Sequence, residues 1–352
     1  MRVLFLCGRE PSYIRNLMLR RALRRSFDVH EITSDAPHAL SRNLSVGIRY
    51  PRSALRACDV IVVSFYGHPL MPWVRLWARA PILFDPYVST YDTLCFDRRR
   101  FGPDSAVGRL TYALDLWTCR WASHLLMDTR AHRDYFARTF LIPPAKMDVL
   151  YVGCDESHFS PRPESPDTGH FEVFTYSSFL RLHGVEHVID AAHRLQAQRD
   201  LVFTIAGAGP GLPQMRRMVE DLGLENVRFP GWLPFEVLPD RIAQAGVCLG
   251  GHFSDVAKAS RVIATKTYQF LAMEKATIVG DNPANREILG HGESAHFCTM
   301  ADAGALAEAI HRLYWDRDLR REIARGGRHL FEANLSLAAQ AERLRSIVEG
   351  ML

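Results

Sequence analysis

Short, unbroken apolar runs alternate along this chain with longer amphipathic stretches. The runs at residues 2–7, 60–65, 82–84, 125–127, 171–176, 201–206 and 247–249 lack the strict alternation of a half-exposed strand. They predict strands covered on both faces, as in a parallel sheet. Weaker runs at 27–32, 147–152, 227–229 and 276–279 complete the strand set. Between them, helical spacing sets in. Ile14, Leu17, Met18 and Leu23 give residues 13–25 one inward stripe. Residues 71–79, 109–121, 185–198, 212–222 and 235–244 read as further helices, and another follows Asp128 and Thr129 with Tyr135 and Phe136 on it. Beyond Phe297 the pattern is helical to the end, with a break at 334–336. Strand and helix therefore alternate throughout, which predicts an α/β chain built on parallel sheets.

Three stretches escape this rhythm. Residues 38–56 are basic and uninformative, and 86–103 form a long loop mixing aromatic, acidic and basic side chains, a composition that suits function better than mere connection. Residues 153–169 are rich in proline, serine, glycine and acidic residues without periodicity, which marks a linker. The expected organisation is a first domain at 1–153, a linker at 154–170 and a second domain at 171–352, with the option of the last helix crossing back to the first domain. Two doubly wound, Rossmann-like domains would then face each other across a cleft between their carboxyl edges. Trp117 and Trp121, four apart on an apolar helix, fit the core better than a ligand platform.

Length agrees with this count, since 352 residues exceed one ordinary core. A hydrophobic content of 47% with 23% charged residues describes a globular chain and excludes a disordered one. The net charge of +4 is too modest to argue for nucleic acid. Its distribution is uneven, because Arg15, Arg20, Arg21, Arg24 and Arg25 crowd the first helix. That helix presents either a solvated face or a surface for an anionic partner such as a phospholipid membrane or a pyrophosphate-linked acceptor. Seven scattered cysteines form no CxxC pair, so neither a disulfide framework nor a zinc site is expected and a reducing cytoplasm fits. The first apolar run is too short for a signal peptide, and no stretch approaches the ~20 apolar residues of a membrane span. Any membrane contact, at the inner face, would be peripheral.

Candidate chemistry concentrates at residues 250–287, GGHFSDVAKASRVIATKTYQFLAMEKATIVGDNPANRE. A buried strand ends, a basic loop with Lys258 and Arg261 follows, a helix starts near Thr265 with Lys266 in its first turn, and another strand comes next. Free amides and the positive end of a helix at the carboxyl edge of a parallel sheet suit an anion, and two fixed cations suit a diphosphate. Lys258, Arg261 and Lys266 are the candidate diphosphate ligands, against the alternative of solvated loop residues. Gly8, directly after the first strand, either lets a phosphate approach the backbone or makes a plain tight turn. His68 and Asp85 end adjacent strands of the first domain and are the candidate catalytic groups, or only strand caps. No HExxH spacing occurs and carboxylates such as Asp92 and Asp97 form no DxD motif, so no metal is expected, and phosphate charge would be balanced by cations and a helix dipole.

The second half resembles GT-B glycosyltransferases of the retaining family 4 type. The carrying residues are Leu182-His183-Gly184-Val185-Glu186, Ile205-Ala206-Gly207-Ala208-Gly209-Pro210, Val227-Arg228-Phe229-Pro230-Gly231-Trp232, and the stretch 258–269 with Ala272 and Glu287 beyond it. The first half resembles a bacterial variant subgroup in its DPYVSTYDT and MDTRAHRDYF stretches. The resemblance implies transfer of a sugar from a nucleotide-diphosphate sugar, with retention, to a lipid-linked, polysaccharide-precursor or other carbohydrate acceptor. The nucleotide sugar is then a co-substrate and no cofactor is implied. It also implies donor nucleotide or sugar contacts from His183, Gly209, Trp232, Gln269 and Glu287, with Trp232 packing on the base or filling the core.

Departures from the family pattern are specific. Where the family carries an Arg and a Lys for the donor diphosphate at the start of the second domain, this chain has Ser177 and His183. Its paired glutamates look replaced by Arg261 and Gln269, so the phosphate cations are expected to have moved to Lys258, Arg261 and Lys266. A non-catalytic GT-B partner subunit and a nucleotide-sugar epimerase of the same fold remain as alternatives. A nicotinamide dehydrogenase fits poorly, because Gly8-Arg9-Glu10-Pro11 is not GxGxxG.

Overall fold

The computed structural model describes residues 1–54, 58–163 and 169–352, with backbone alone at 52–54. The basic stretch at 38–56 and the linker at 154–170 thus fall partly outside the described residues. Six parallel strands form the first sheet: β1 (Arg2–Leu6), β2 (Asp28–Ile32), β3 (Val60–Val63), β4 (Ile82–Phe84), β5 (His124–Met127) and β6 (Met147–Val149), in the order β2-β1-β3-β4-β5-β6. Six more form the second: β7 (Phe171–Ser177), β8 (Leu201–Gly207), β9 (Val227–Arg228), β10 (Val247–Leu249), β11 (Thr277–Gly280) and β12 (His296–Cys298), ordered β12-β11-β10-β7-β8-β9. Each sheet is doubly wound. Strand order reverses between β1 and β3 in the first and between β7 and β10 in the second, and ligands of such sheets bind at that reversal.

The chain divides into two compact units, Met1–Val152 with Leu337–Leu352, and Gly153–Ser336. The final helix, Leu337–Glu349, lies against the first helix, Ile14–Ser26, and buries Leu344, Ile347 and Val348 in the core beneath β1 and β3. Among the described residues no helix is long and apolar enough to cross a membrane.

Three stretches differ from the sequence reading, one of them β12, whose three residues reach into the region read as helical beyond Phe297. Residues 39–54 form a helix, Ala39–Ala54, whose inward face carries Arg42, Asn43, Val46 and Tyr50. Two polar residues among four inward positions erase the apolar stripe that would have announced it. Residues 86–103 are not an open loop: Thr90–Asp92 and a π-helical turn, Thr93–Asp97, follow a cap at Ser89. Buried Asp115 organises that turn, accepting hydrogen bonds from Ser89 Oγ at 2.7 Å, Tyr91 N at 2.9 Å and Thr90 N at 3.1 Å. Trp117, expected in the core, stands about half exposed on the helix Ala106–Trp121.

A buried ion pair ties the first helix of the first unit to its sheet. Arg15, only 1% exposed, donates from Nε to Asp85 Oδ2 at 2.8 Å and from Nη1 to the Leu150 carbonyl at 2.6 Å, linking the first helix to the ends of β4 and β6. Burial alone would depress the Arg15 pKa, but the charge and hydrogen bond of Asp85 together carry it above its ordinary value. This corrects two expectations. Asp85 is fully buried and committed to Arg15, so it is not placed as a catalytic group. Arg15 cannot contribute to a membrane-facing cluster, and Arg20 and Arg24 are both paired with Glu31, at 2.7 and 2.8 Å. Breaking the pair from one side strands a buried charge. Asp85→Ala is therefore expected to lower unfolding free energy by about 3–5 kcal/mol in urea titration, whereas Arg15→Met combined with Asp85→Leu recovers most of the loss.

Candidate functional site

The strand-order reversal of the second sheet brings the end of β7 beside the end of β10. There the chain must pass tightly. A Cβ on Gly209 would stand 1.8 Å from the Ser178 carbonyl oxygen, and one on Gly184, at φ 65°, 2.5 Å from Ser254 N. Glycine at these two positions lets the loops after β7, β8 and β10 close over one another. Gly209 is thus accounted for by backbone approach.

At the centre lies Lys266, in the first turn of the helix Thr265–Ala272 and 7% exposed. Its Nζ donates to the Tyr176 carbonyl at 2.9 Å and sits 5.8 Å from that ring's centroid. It makes no ion pair among the described residues, and burial pushes its pKa down to about 7. Two other predicted residues, His183 and Gln269, gather here. His183 pairs through Nδ1 with Ser177 Oγ at 2.5 Å, so the two residues standing where the family has cations are bonded to each other. Burial, with the Lys266 charge, takes His183 down to about 3, so it is a neutral ring. Gln269 is buried, and its side-chain oxygen accepts from the Tyr176 hydroxyl, which leaves its amide N–H donors for a ligand.

Lys258 is almost fully buried in the turn Ala257–Ser260, which packs against the turn Arg181–His183 that carries His183. Its charge helps depress His252, and Arg261, partly buried, closes the same turn. Neither cation lies in open solvent. Glu287 ends the short helix Pro283–Arg286, which packs on the same turn.

Sequence reading missed His252. It follows Gly250-Gly251 at the tip of β10, stacks on His183 with centroids 5.3 Å apart, and has a buried Nδ1 without a hydrogen-bond partner. Burial, then the neighbouring His183, Lys266 and Lys258, hold its pKa well below the ordinary histidine value. The signal was present in the pair of glycines before it, which free the backbone at a strand end. Trp232 is not brought in: it is 74% exposed after edge strand β9, so it neither fills the core nor packs against these residues.

The remaining predicted residues belong to the first unit. Gly8 follows β1 at that sheet's reversal, where an added Cβ would stand 2.2 Å from Asn43 Oδ1, and Asn43 Nδ2 donates to the Gly8 carbonyl at 3.1 Å. His68 is buried with its Nε2 3.4 Å from Asp115 Oδ1, and burial lowers its pKa despite that carboxylate. Beside Gly8, the Arg9 guanidinium lies 5.2 to 5.7 Å from the ring centroids of Tyr66, Phe65 and Tyr13, forming an aromatic basin. Among the described residues no group of three His, Cys, Asp or Glu is placed to hold a metal ion.

Two doubly wound, Rossmann-like units in one chain give the fold of the GT-B class. Its fold matches Anabaena HepE crystallised with UDP at a TM-score of 0.77, with 14% identity, covering 99% of this chain and 100% of that one. Residues 158–330, most of the second unit, match the family model of glycosyl transferases group 1. An alpha-D-kanosaminyltransferase of Streptomyces kanamyceticus is 25% identical over 166 residues, 47% of this chain and 42% of that protein. A GDP-mannose-dependent alpha-(1-6)-phosphatidylinositol monomannoside mannosyltransferase of Mycolicibacterium smegmatis is 27% identical over 239 residues, 63% and 61% of the two chains. The chain thus spans less than two thirds of these relatives' own lengths.

An unpaired lysine in this position opposes folding wherever it must be protonated in the native state. Lys266→Met is expected to raise the melting temperature at pH 6 by at least about 3 °C. With a native pKa near 7 and an unfolded one near 10.5, the wild-type penalty is full below pH 7 and fades as pH rises toward 10. The gap between variant and wild type should narrow across that window in calorimetric scans.

Proposed function

We propose that this chain is a glycosyltransferase that moves a sugar from a nucleoside-diphosphate sugar to a carbohydrate or lipid-linked acceptor, with the donor held by the second unit. The observation that carries the reading is Lys266, a buried, unpaired cation at the strand reversal, flanked by Lys258 and by the start of the helix Thr265–Ala272. A diphosphate supplies the counter-charge that Lys266 lacks, and unpaired helix amides supply donors to its oxygens. His183 and His252, both neutral, are suited to donate hydrogen bonds without repelling Lys266. Lys258 and Arg261 extend the positive charge, while the Gln269 amide and Glu287 address donor hydroxyls.

The reaction is read as retaining and metal-independent. Cations and helix amides would stabilise the departing diphosphate, which takes up the acceptor proton on the same face of the sugar. The acceptor side is assigned to the first unit, where the aromatic basin around Arg9 offers ring faces to a sugar. His68, neutral beside Asp115, is retained as a candidate there in a positioning role, because its contact with solvent is negligible. A relative named for phosphatidylinositol mannoside synthesis favours a lipid-linked or polysaccharide-precursor acceptor. Seven unpaired cysteines suit a reducing compartment such as the cytoplasm.

Titration calorimetry with UDP, GDP, ADP and dTDP tests the donor site. One of these should bind, with affinity falling as pH rises above about 7 and proton uptake on binding, because diphosphate restores the Lys266 charge. Lys266→Met should weaken that binding by at least about tenfold, the effect of losing one charged hydrogen bond of about 1.4 kcal/mol or more. Silence with all four nucleotides, or binding unchanged in the variant and flat with pH, sinks the reading. Sugar transfer in the presence of a chelator and the anomeric configuration of the product, read by NMR, test the metal and stereochemical parts.

A further inference from the structure

We infer that the outer face of three adjacent helices in the first unit docks on an anionic lipid bilayer, and that the arginine-rich first helix does not. The helices are Ala39–Ala54, Met71–Trp77 and Ala106–Trp121, which pack side by side on one face of the first sheet. On the first of them, Leu40, Leu44 and Ile48 recur every four residues and all point to solvent, Leu40 at 81% exposure. An apolar stripe on the outer side of a surface helix is the reverse of what core packing produces. Trp73, Leu76 and Trp77 continue it on the second helix, with Trp73 Nε1 fixed to the Gly47 carbonyl at 2.7 Å. Leu110 and Trp117, seven apart and exposed, extend it to the third.

Charge selects the occupant. Residues 36–54 and 66–80 contain no Asp or Glu, yet Arg49, Arg75 and Arg79 stand exposed beside the apolar stripe. Arg109 and Arg120 flank it on the third helix, where Asp115 is buried inward. Exposed leucines, tryptophans at the boundary and arginines without acidic neighbours match a lipid interface with anionic headgroups, in which indole rings settle at headgroup depth. A second protein copy would bring the same uncompensated arginines against their own kind. On the first helix, by contrast, Arg15 is buried and Arg20 and Arg24 are spent on Glu31. This inference rests on the first unit alone and stands apart from the donor-site reading.

The test is co-sedimentation of the full chain with vesicles of phosphatidylcholine containing phosphatidylglycerol, against phosphatidylcholine alone, with tryptophan emission recorded in parallel. Binding is expected only with the anionic vesicles, with a blue shift in emission and loss at high salt. Leu44→Glu with Ile48→Glu should cut partitioning by at least about tenfold while leaving the circular dichroism spectrum and nucleotide binding unchanged. Arg24→Ala with Arg25→Ala, on the first helix, should leave partitioning within about twofold of wild type. The inference is overturned if the two variant pairs behave the other way round, or if wild-type protein ignores anionic vesicles. It is equally overturned if sedimentation velocity shows a dimer that the glutamate pair dissociates.

Discussion

A lysine held out of water with no carboxylate to answer it is the constraint around which the second unit is arranged. Lys266 stands in the first turn of a helix beside the strand-order reversal of that unit's sheet, and among the described residues no carboxylate forms an ion pair with it. Ser177 and His183 bond to each other, Gln269 is turned toward Tyr176, and His252 stacks on His183 as a neutral ring. Such an arrangement lowers stability in the absence of a counter-charge. Glycine at 184 and 209 lets the loops around Lys266 pack backbone against backbone.

The first unit solves the opposite problem. Its buried arginine has a carboxylate, Asp85, and a carbonyl, Leu150, within reach, so the charge is consumed in joining elements. Two cations of similar burial thus differ in meaning because one is answered within the fold and the other is not. Residue type and strand-end position alone could not separate them.

That contrast shows where sequence was informative. Apolar runs announced every strand but the short β12 at nearly its observed position, because a strand covered on both faces has little freedom to be polar. The helix Ala39–Ala54 was invisible because its inward positions include Arg42 and Asn43 while leucines and isoleucine face out. For the site, Lys258, Arg261, Lys266, His183 and Gln269 could be drawn from motif positions, since a basic loop before a helix start is a local pattern. Asp85 and Trp232 could not be judged, for their fates turn on partners distant in sequence: Arg15 in one case, and the lack of any packing neighbour beyond an edge strand in the other. His252 needed the observation that two strand ends far apart in the chain come side by side.

The return of the final helix to the first unit has a consequence for biogenesis. Leu344, Ile347 and Val348 are synthesised after all of the second unit, yet they fill the core under β1 and β3. A ribosome emitting this chain in order exposes β1 through β6 with a gap in their hydrophobic floor, and then releases an inserted unit whose sequence is already whole. The first unit is therefore completed only after the second has been made, which leaves an early apolar surface uncovered until Leu337–Glu349 has emerged.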